Sequence, residues 1–198
     1  MTDPKIQTTR CAICGEPTPD HLIVQYGSQE HGSRTVCTRC MNADMAERCG
    51  LDFEHAELEP VTMADRSGKS HEFHFATHLL GDMVTIDAFE LHEGYPCGYQ
   101  FQVIGSPDDE PFDLMAKLIE RIRRALSVSY LSEDPRHGLQ IAGQNACGQI
   151  TCDLDDDAVG PAVVIDGREI SWEEFGRMVG TFEGFHFRLE IVDQSEAP

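Results

Sequence analysis

The sequence predicts an α+β fold, in which a small cysteine-rich domain precedes a larger domain with an antiparallel sheet and two helices. Three observations support this prediction. Two Cys-x-x-Cys pairs lie near the amino end, alternating strands with short turns follow at 71–103, and two segments with helical periodicity come later. Helices that cover one face of an antiparallel sheet form an α+β domain. We divide the chain into domains 1–57 and 58–198, because Pro60 ends an acidic, weakly periodic stretch, 52–59.

The four cysteines of the first domain have the spacing of a structural zinc site. Cys11 and Cys14 form one pair, which Gly15 follows, and Cys37 and Cys40 form the second pair. Two cysteines three positions apart can direct both sulfurs at one ion, and two such pairs complete a tetrahedron. Gly15 suits the tight turn behind the first pair because glycine adopts a positive φ without strain. We therefore predict that these four cysteines bind one Zn²⁺.

Local patterns around the cysteines predict a hairpin and then a helix. The stretches Leu22-Ile23-Val24 and Arg34-Thr35-Val36 flank a glycine-containing turn region, which is typical of a β-hairpin. A helix is expected over Thr38–Cys49, where Gly50 ends it. A Cys-x-x-Cys turn at 11–15, which we call the knuckle, is followed by a hairpin and a helix. This order predicts that 1–57 is a treble-clef zinc-binding domain. The alternative is two unrelated pairs of redox-active or free thiols.

Residues 10–51 carry a resemblance to a known family. The sequence Cys-x-x-Cys-Gly, followed by Val-Cys-x-x-Cys and the predicted helix, resembles the N-terminal zinc-binding domain of the ClpX protease chaperone. In that family the domain is a small dimerising module that recognises adaptors and substrates, so the resemblance implies protein recognition. The stretch between the two pairs is longer in this chain. Residues 165–191 also look like a segment of an uncharacterised bacterial family, and this likeness implies no activity.

The composition argues against two common classes of partner. With 35 acidic and 15 basic residues, the formal net charge is −20, and residues 1–57 also hold nine acidic against five basic side chains. An acidic surface repels the phosphates of nucleic acid. The amino end lacks an apolar signal core, and no apolar stretch reaches the roughly 18 residues that span a membrane. We therefore expect a cytoplasmic protein that binds neither nucleic acid nor membranes.

The second domain is expected to begin with a three-stranded antiparallel meander. Apolar and polar residues alternate at 71–79, 83–91 and 99–103. Gly81 and Asp82 form a two-residue hairpin loop between the first two strands. The residues of the first strand that share the apolar face are Phe73, Phe75, Thr77 and Leu79.

Two helices and a closing strand complete this domain. A helix over 111–131 carries apolar residues at three- and four-residue spacing. The second helix begins after Ser171, which forms a capping box with Glu174 and follows a hairpin turn at 166–167. Residues 185–191 alternate without error, which predicts a half-buried strand at the carboxyl end. The stretch between the helices is poorly patterned, with short irregular strands expected at 139–141 and 149–151.

A second metal site is conceivable among side chains that lie close together in the sequence. These are His71, His74, His78, His92 and Cys97. In a strand, His74 and His78 share a face but stand about 13 Å apart, which is too far for one ion. In a helix the same two residues would be well spaced for zinc. We favour exposed histidines on a sheet.

The acidic loop 153–157, from Asp153 to Asp157, begins like a calcium-binding loop. Ala158 stands where the calcium loop has glycine, and Val164 stands where it has a bidentate glutamate. We therefore favour a solvated loop and leave weak binding of a divalent cation open.

These observations lead to one main hypothesis of function and two alternatives. We expect a zinc-binding protein-interaction or adaptor protein without catalytic activity of its own, because a metal site and an acidic surface occur without a recognisable reaction centre. The alternative is a hydrolase-like enzyme with its active site near His74, His78 or the loop 153–157. A third hypothesis is a toxin-neutralising or phage-defence accessory protein that masks a basic partner. Protein partners are expected, and a homodimer is left open.

Overall fold

The computed structural model describes residues 7–28, 32–152 and 160–196. These residues form three α-helices and thirteen strands in antiparallel sheets, which confirms the predicted α+β class. The helices are α1 Thr38–Cys49, α2 Pro111–Leu126 and α3 Trp172–Gly180. The strands are β1 Thr8–Arg10, β2 Pro17–Pro19, β3 Ile23–Ser28, β4 Gly32–Cys37, β5 Val61–Ala64, β6 Ser70–Leu80, β7 Met83–His92, β8 Tyr95–Gly105, β9 Leu131–Asp134, β10 Gly138–Ile141, β11 Gln149–Cys152, β12 Pro161–Ile165 and β13 Arg168–Ser171. Among the described residues, no helix has both the length and the apolar character needed to cross a membrane.

The amino-terminal region consists of two small hairpins and α1. Strands β1 and β2 pair with each other, and β3 pairs with β4, which confirms the predicted hairpin. Helix α1 has the predicted bounds, because Gly50 adopts φ 66° and its N–H group caps the last carbonyls. The Tyr26 hydroxyl fixes the hairpin on the helix by donating to Asp44 Oδ2 at 2.6 Å. The core of this region is small and consists of Cys11, Val36, Cys37 and Met41.

The central sheet has the strand order β5-β6-β7-β8. Its last three strands are the predicted meander, and a two-residue loop joins Leu80 to Met83 as expected. Strand β5 is an addition that the sequence did not reveal, because four residues, Val-Thr-Met-Ala, are too few for a clear alternation. The predicted core face of β6 is buried. Both α1 and α2 contribute side chains to the core that covers it.

Helix α2 is shorter than the sequence predicts. Its buried residues recur every fourth position, namely Leu114, Leu118, Ile122 and Leu126. The prediction of a helix to residue 131 is wrong, because the helix ends at Leu126 and Ser127 caps it. The Leu126 carbonyl instead accepts a hydrogen bond from the Arg66 amide at 2.9 Å, in the turn before β6. Leu131 pairs with Ile141 in the β9–β10 hairpin, so the last residue of the predicted helix belongs to a strand instead.

The carboxyl-terminal part of the chain has its own small core. Strands β11, β12 and β13 form one sheet, α3 packs beside it, and the core residues are Val163, Ile165, Ile170 and Met178. The predicted turn at Asp166 and Gly167 is present, with φ values of 52° and 67°. The predicted cap of α3 is also present, since the Glu174 amide donates to Ser171 Oγ at 3.2 Å. The two short strands predicted in the poorly patterned stretch correspond to β10 and β11.

The predicted strand at 185–191 is wrong. These residues form neither a helix nor a strand, and they are exposed to solvent. The exposed fraction reaches 90% for Phe187, 72% for Leu189 and 71% for Ile191. Alternation shows which side chains share a face, but a strand also needs a neighbouring strand to accept its backbone hydrogen bonds. Among the described residues, the segment has no such neighbour.

Asn42 joins the amino-terminal region to the central sheet. Its side chain is fully buried between α1 and β6. The side-chain amide donates to the Thr77 carbonyl at 2.8 Å, and its Oδ1 accepts from the Leu79 amide at 2.8 Å. Its Nδ2 also lies 2.9 Å from His55 Nδ1. The helix is therefore attached to the sheet through directional bonds as well as apolar packing.

Candidate metal centre

The structure brings the four predicted ligands Cys11, Cys14, Cys37 and Cys40 together. Their sulfur atoms all lie within 4.8 Å of one another, and the Sγ atoms of Cys14 and Cys37 are 4.0 Å apart. A tetrahedral zinc ion with Zn–S bonds of about 2.3 Å requires sulfurs about 3.8 Å apart. The cluster can therefore hold a metal ion. Among the described residues, no other group of three or more potential metal ligands is this close.

A tight knuckle positions the first pair of cysteines. Gly15 adopts φ 75°, and its amide donates to the Cys11 carbonyl at 2.9 Å. The Cys11 amide donates to the Glu16 carbonyl at 3.0 Å and thereby closes the knuckle. The Ala12 amide donates to the Thr35 carbonyl at 2.9 Å, which ties the knuckle to β4. Because β4 ends at Cys37, the same contact brings the two pairs of cysteines together.

The amino end of α1 positions the second pair. Cys37 is the N-cap residue, and its sulfur accepts from the Cys40 amide at 3.4 Å. The Cys37 amide itself donates to Cys11 Sγ at 3.3 Å, and the Ile13 amide donates to the same sulfur at 3.4 Å. Amide groups and the positive end of a helix dipole both stabilise thiolates. The backbone is thus arranged to hold negative charge at this place.

Burial and hydrogen bonds shift the pKa values of three of these cysteines in different directions. Burial by itself raises the pKa of the Cys11 thiol, but amide hydrogen bonds from Cys14, Cys37 and Ile13 lower it from 9.0 to about 6. Burial, together with the neighbouring sulfurs, raises the pKa of Cys40, and burial is also the main cause of the raised pKa of Cys37. Four neighbouring thiolates repel one another, and a bound dication offsets this electrostatic repulsion.

Arg39 lies beside the cluster on α1. Its guanidinium pairs with Glu16, and it lies 3.7 Å from Glu57. The pKa of Arg39 is raised by Glu16 and by a hydrogen bond to Cys14. A dication held by four thiolates carries a formal charge of −2, so a cation at this position offsets part of the charge.

The histidines that we considered for a second metal site are dispersed. His74 Nε2 pairs with Glu72 at 3.0 Å, and its ring lies 5.6 Å from the ring of His21. His78 Nδ1 pairs with Asp87 at 3.0 Å. Within the part of the chain that the structure describes, His74 and His78 belong to no cluster of three potential ligands. The acidic loop 153–157 lies outside the described residues.

The interpretation of exposed sheet histidines is wrong, because the side chains of His74 and His78 are only 15% and 22% exposed and His71 is buried. The exposed fraction of His71 is 2%. Its Nδ1 lies 2.8 Å from Glu90 Oε1, and its Nε2 lies 3.3 Å from Asp65 Oδ2. Both ring nitrogens therefore have carboxylate partners within the protein. We interpret His71 as a structural residue that joins β6 to β7 and to the preceding turn.

Asp65 should make the stability of the central sheet depend on pH. Hydrogen bonds from the Ser67 hydroxyl, and then from the Lys69 amide and His71, lower the pKa of Asp65 from 3.8 to about 2. A lowered pKa adds stability above the unfolded value, and this stability is lost as the pH falls towards the folded value. The advantage of the wild type over Asp65→Asn should therefore be full at pH 6 and shrink between about pH 4 and pH 2.

Urea unfolding of the two proteins across this pH range would measure the difference. Asp82→Asn is the matched control, because Asp82 is an exposed carboxylate in the loop between β6 and β7, at the opposite end of β6. An Asp65→Asn deficit that stayed constant down to pH 2 would show that the carboxylate does not contribute through its charge.

The chain is similar to three families of unknown function. Their descriptions are Domain of unknown function (DUF7685) at residues 10–52, Domain of unknown function (DUF7686) at residues 54–127 and Domain of unknown function (DUF7713) at residues 130–196. No curated protein and no solved structure matches the chain. The first match contains all four cysteines, and the second contains the central sheet with α2. The division into domains 1–57 and 58–198 stays a prediction.

Two residues of this region were missed by reasoning from the sequence. Asn42 shares the inward side of α1 with Met41 and Ala46, so a polar residue among buried positions was the available signal. Such a residue usually finds buried hydrogen-bond partners. Arg39 carried no signal, because a basic residue in the first turn of a helix looks like an ordinary surface residue.

Proposed function

We propose that the chain is a cytoplasmic zinc-binding protein-interaction protein without catalytic activity of its own, and that its amino-terminal region is a treble-clef domain. The observation that carries the proposal is the cluster of Cys11, Cys14, Cys37 and Cys40, whose sulfurs all lie within 4.8 Å of one another. Four thiolates in a tetrahedron are typical of structural zinc sites. Such a site leaves no position for a substrate or a reactive water, which favours a structural role for the metal.

The small core of the amino-terminal region supports a structural role for zinc. Among its described residues, the buried members of its apolar cluster besides the cysteines are Val36 and Met41. So few buried side chains supply little hydrophobic stabilisation. Structural zinc contributes about 10–16 kcal/mol in small zinc-binding peptides, which is ample to fold a domain of this size.

The charge of the chain supports a protein partner with a basic surface. The net charge of −20 repels nucleic acid, and it accelerates association with a cationic protein surface. The resemblance of residues 10–51 to the zinc-binding domain of the ClpX protease chaperone also favours protein recognition. We therefore propose that the zinc domain presents a surface on which such a partner binds.

Affinity capture with the full-length protein would test this function. Wild type and Cys49→Ser should retain the same basic proteins, since Cys49 is exposed and lies outside the cluster. Cys14→Ser should lose them, because Cys14 is also exposed but is a proposed ligand. Retention should weaken as salt is raised. Capture of the same proteins by Cys14→Ser, or turnover of a substrate by the purified wild type, would contradict the proposal.

A further inference from the structure

The segment 185–193 leaves an apolar surface uncovered. It connects α3 with a short 3-10 turn, Gln194–Glu196, and all nine of its residues are exposed. Its alternating apolar side chains are Phe185, Phe187, Leu189 and Ile191. Within residues 7–28, 32–152 and 160–196, the backbone groups of 186–192 form no hydrogen bonds with other backbone groups. Unpaired backbone beside exposed apolar side chains is the usual state of a strand that lacks a partner.

Both ends of this segment are held in place. At the start, the ring of Phe185 packs against Phe182 with a centroid distance of 6.0 Å. At the end, Asp193 accepts from the Ser195 amide at 2.9 Å, and Ser195 lines a groove between β8 and α2. The segment therefore lies on the surface between the contact with Phe182 and the turn that contains Ser195.

The sequence of the segment is complementary to itself. In an antiparallel pair, residues directly opposite each other share a face. When two copies pair about Leu189, this leucine meets its own counterpart and Phe187 meets Ile191 of the second copy. On the other face, Arg188 meets Glu190 of the second copy, and the symmetry repeats this ion pair. A pairing centred on Arg188 would instead oppose two arginines, so charge favours the register centred on Leu189.

We propose that residues 185–193 of two copies pair as antiparallel strands about Leu189 and form a symmetric homodimer, in which Phe185 lies opposite Asp193 of the second copy. The binding partner of the exposed segment is therefore a second copy of this chain. Eight apolar side chains gather on one face of the ribbon, four from each copy. An isolated two-stranded ribbon is only marginally stable in water, so the dimer should dissociate on dilution. This proposal goes beyond the adaptor function and does not depend on the metal.

Charge reversal tests the register directly. Sedimentation velocity over a concentration series should show a monomer–dimer equilibrium for the full-length wild type. Arg188→Glu and Glu190→Arg should each weaken association about tenfold, because each creates two like-charged pairs. The double variant, which exchanges the two charges, should regain the wild-type equilibrium. A mixture of the two single variants should form heterodimers, since each supplies the charge that the other lacks.

The matched control is Glu173→Arg, which makes the same charge change on the exposed side of α3. It should leave the dimer unchanged. A wild type that is monomeric at every concentration would overturn the proposal, as would a dimer that survives both single reversals. Loss of the dimer in Cys37→Ser, with no effect of Arg188→Glu, would place the interface in the amino-terminal region and would also overturn it. The dimer could respond to the charge variants as expected while affinity capture retains no basic protein. That result would support this proposal and contradict only the adaptor function.

Discussion

Replacement of Cys37 by serine should remove the metal from the amino-terminal region and unfold that region. Cys37 is buried, caps α1 with its sulfur and contributes one of the four proposed ligands. Three ligands bind zinc far less tightly than four, and the small core cannot replace the lost free energy. We expect the region to lose most of the roughly 10 kcal/mol that structural zinc supplies. The central sheet would lose the contribution of α1 to its core, including Ala46, but it keeps the core that α2 covers and should remain folded.

Hydrogen exchange on the full-length protein would measure this effect by region. Amides of α1 and of the β3–β4 hairpin should lose protection in Cys37→Ser, while amides of β6 and β7 should keep most of theirs. Cys49→Ser is the control, because Cys49 lies in the same helix but outside the cluster. Treatment of the wild type with a zinc chelator should reproduce the pattern of Cys37→Ser. Full protection of α1 in Cys37→Ser would contradict a metal-dependent fold.

The second large effect is expected for Asn42→Ala. This change removes the side chain that pairs with the Thr77 carbonyl and the Leu79 amide, and it leaves both buried groups without those bonds. A buried polar group without its partner costs about 1–3 kcal/mol, so we expect a loss of about 3 kcal/mol in total. The loss should also weaken the attachment of α1 to β6.

Urea unfolding of the metal-loaded protein would measure this loss. The Asn42→Ala curve should shift to lower urea, and unfolding of the amino-terminal region should separate from unfolding of the sheet. Asn145→Ala is the matched control, because Asn145 is exposed. An Asn42→Ala midpoint equal to that of Asn145→Ala would show that apolar packing alone attaches the helix.

Local signals in the sequence were sufficient for most elements of the fold. The bounds of α1 followed from the position of Gly50, and the start of α3 followed from the Ser171 cap. The meander followed from alternation and from the two-residue loop at 81–82. The proximity of the two cysteine pairs could also be predicted, because two Cys-x-x-Cys pairs are typical of one metal site even when many residues separate them. That the cluster binds zinc stays a prediction.

The remaining features depend on contacts between distant parts of the chain. Helix α2 ends at Leu126, whose carbonyl accepts from the Arg66 amide in the turn between β5 and β6, and local periodicity did not reveal this contact. His71 is buried, and its ring pairs with carboxylates from a turn and from the neighbouring strand. Alternation at 185–191 did not show whether a partner strand exists, so the strand was predicted and is not found.

The central claim is that one zinc ion is bound by Cys11, Cys14, Cys37 and Cys40. Native mass spectrometry of the purified full-length protein, together with elemental analysis, measures the metal content per chain directly. We predict about one zinc per wild-type chain, retained in Cys49→Ser and lost in Cys37→Ser. A wild-type chain without metal and with all four of these thiols open to alkylation would contradict the claim, as would equal zinc in Cys37→Ser.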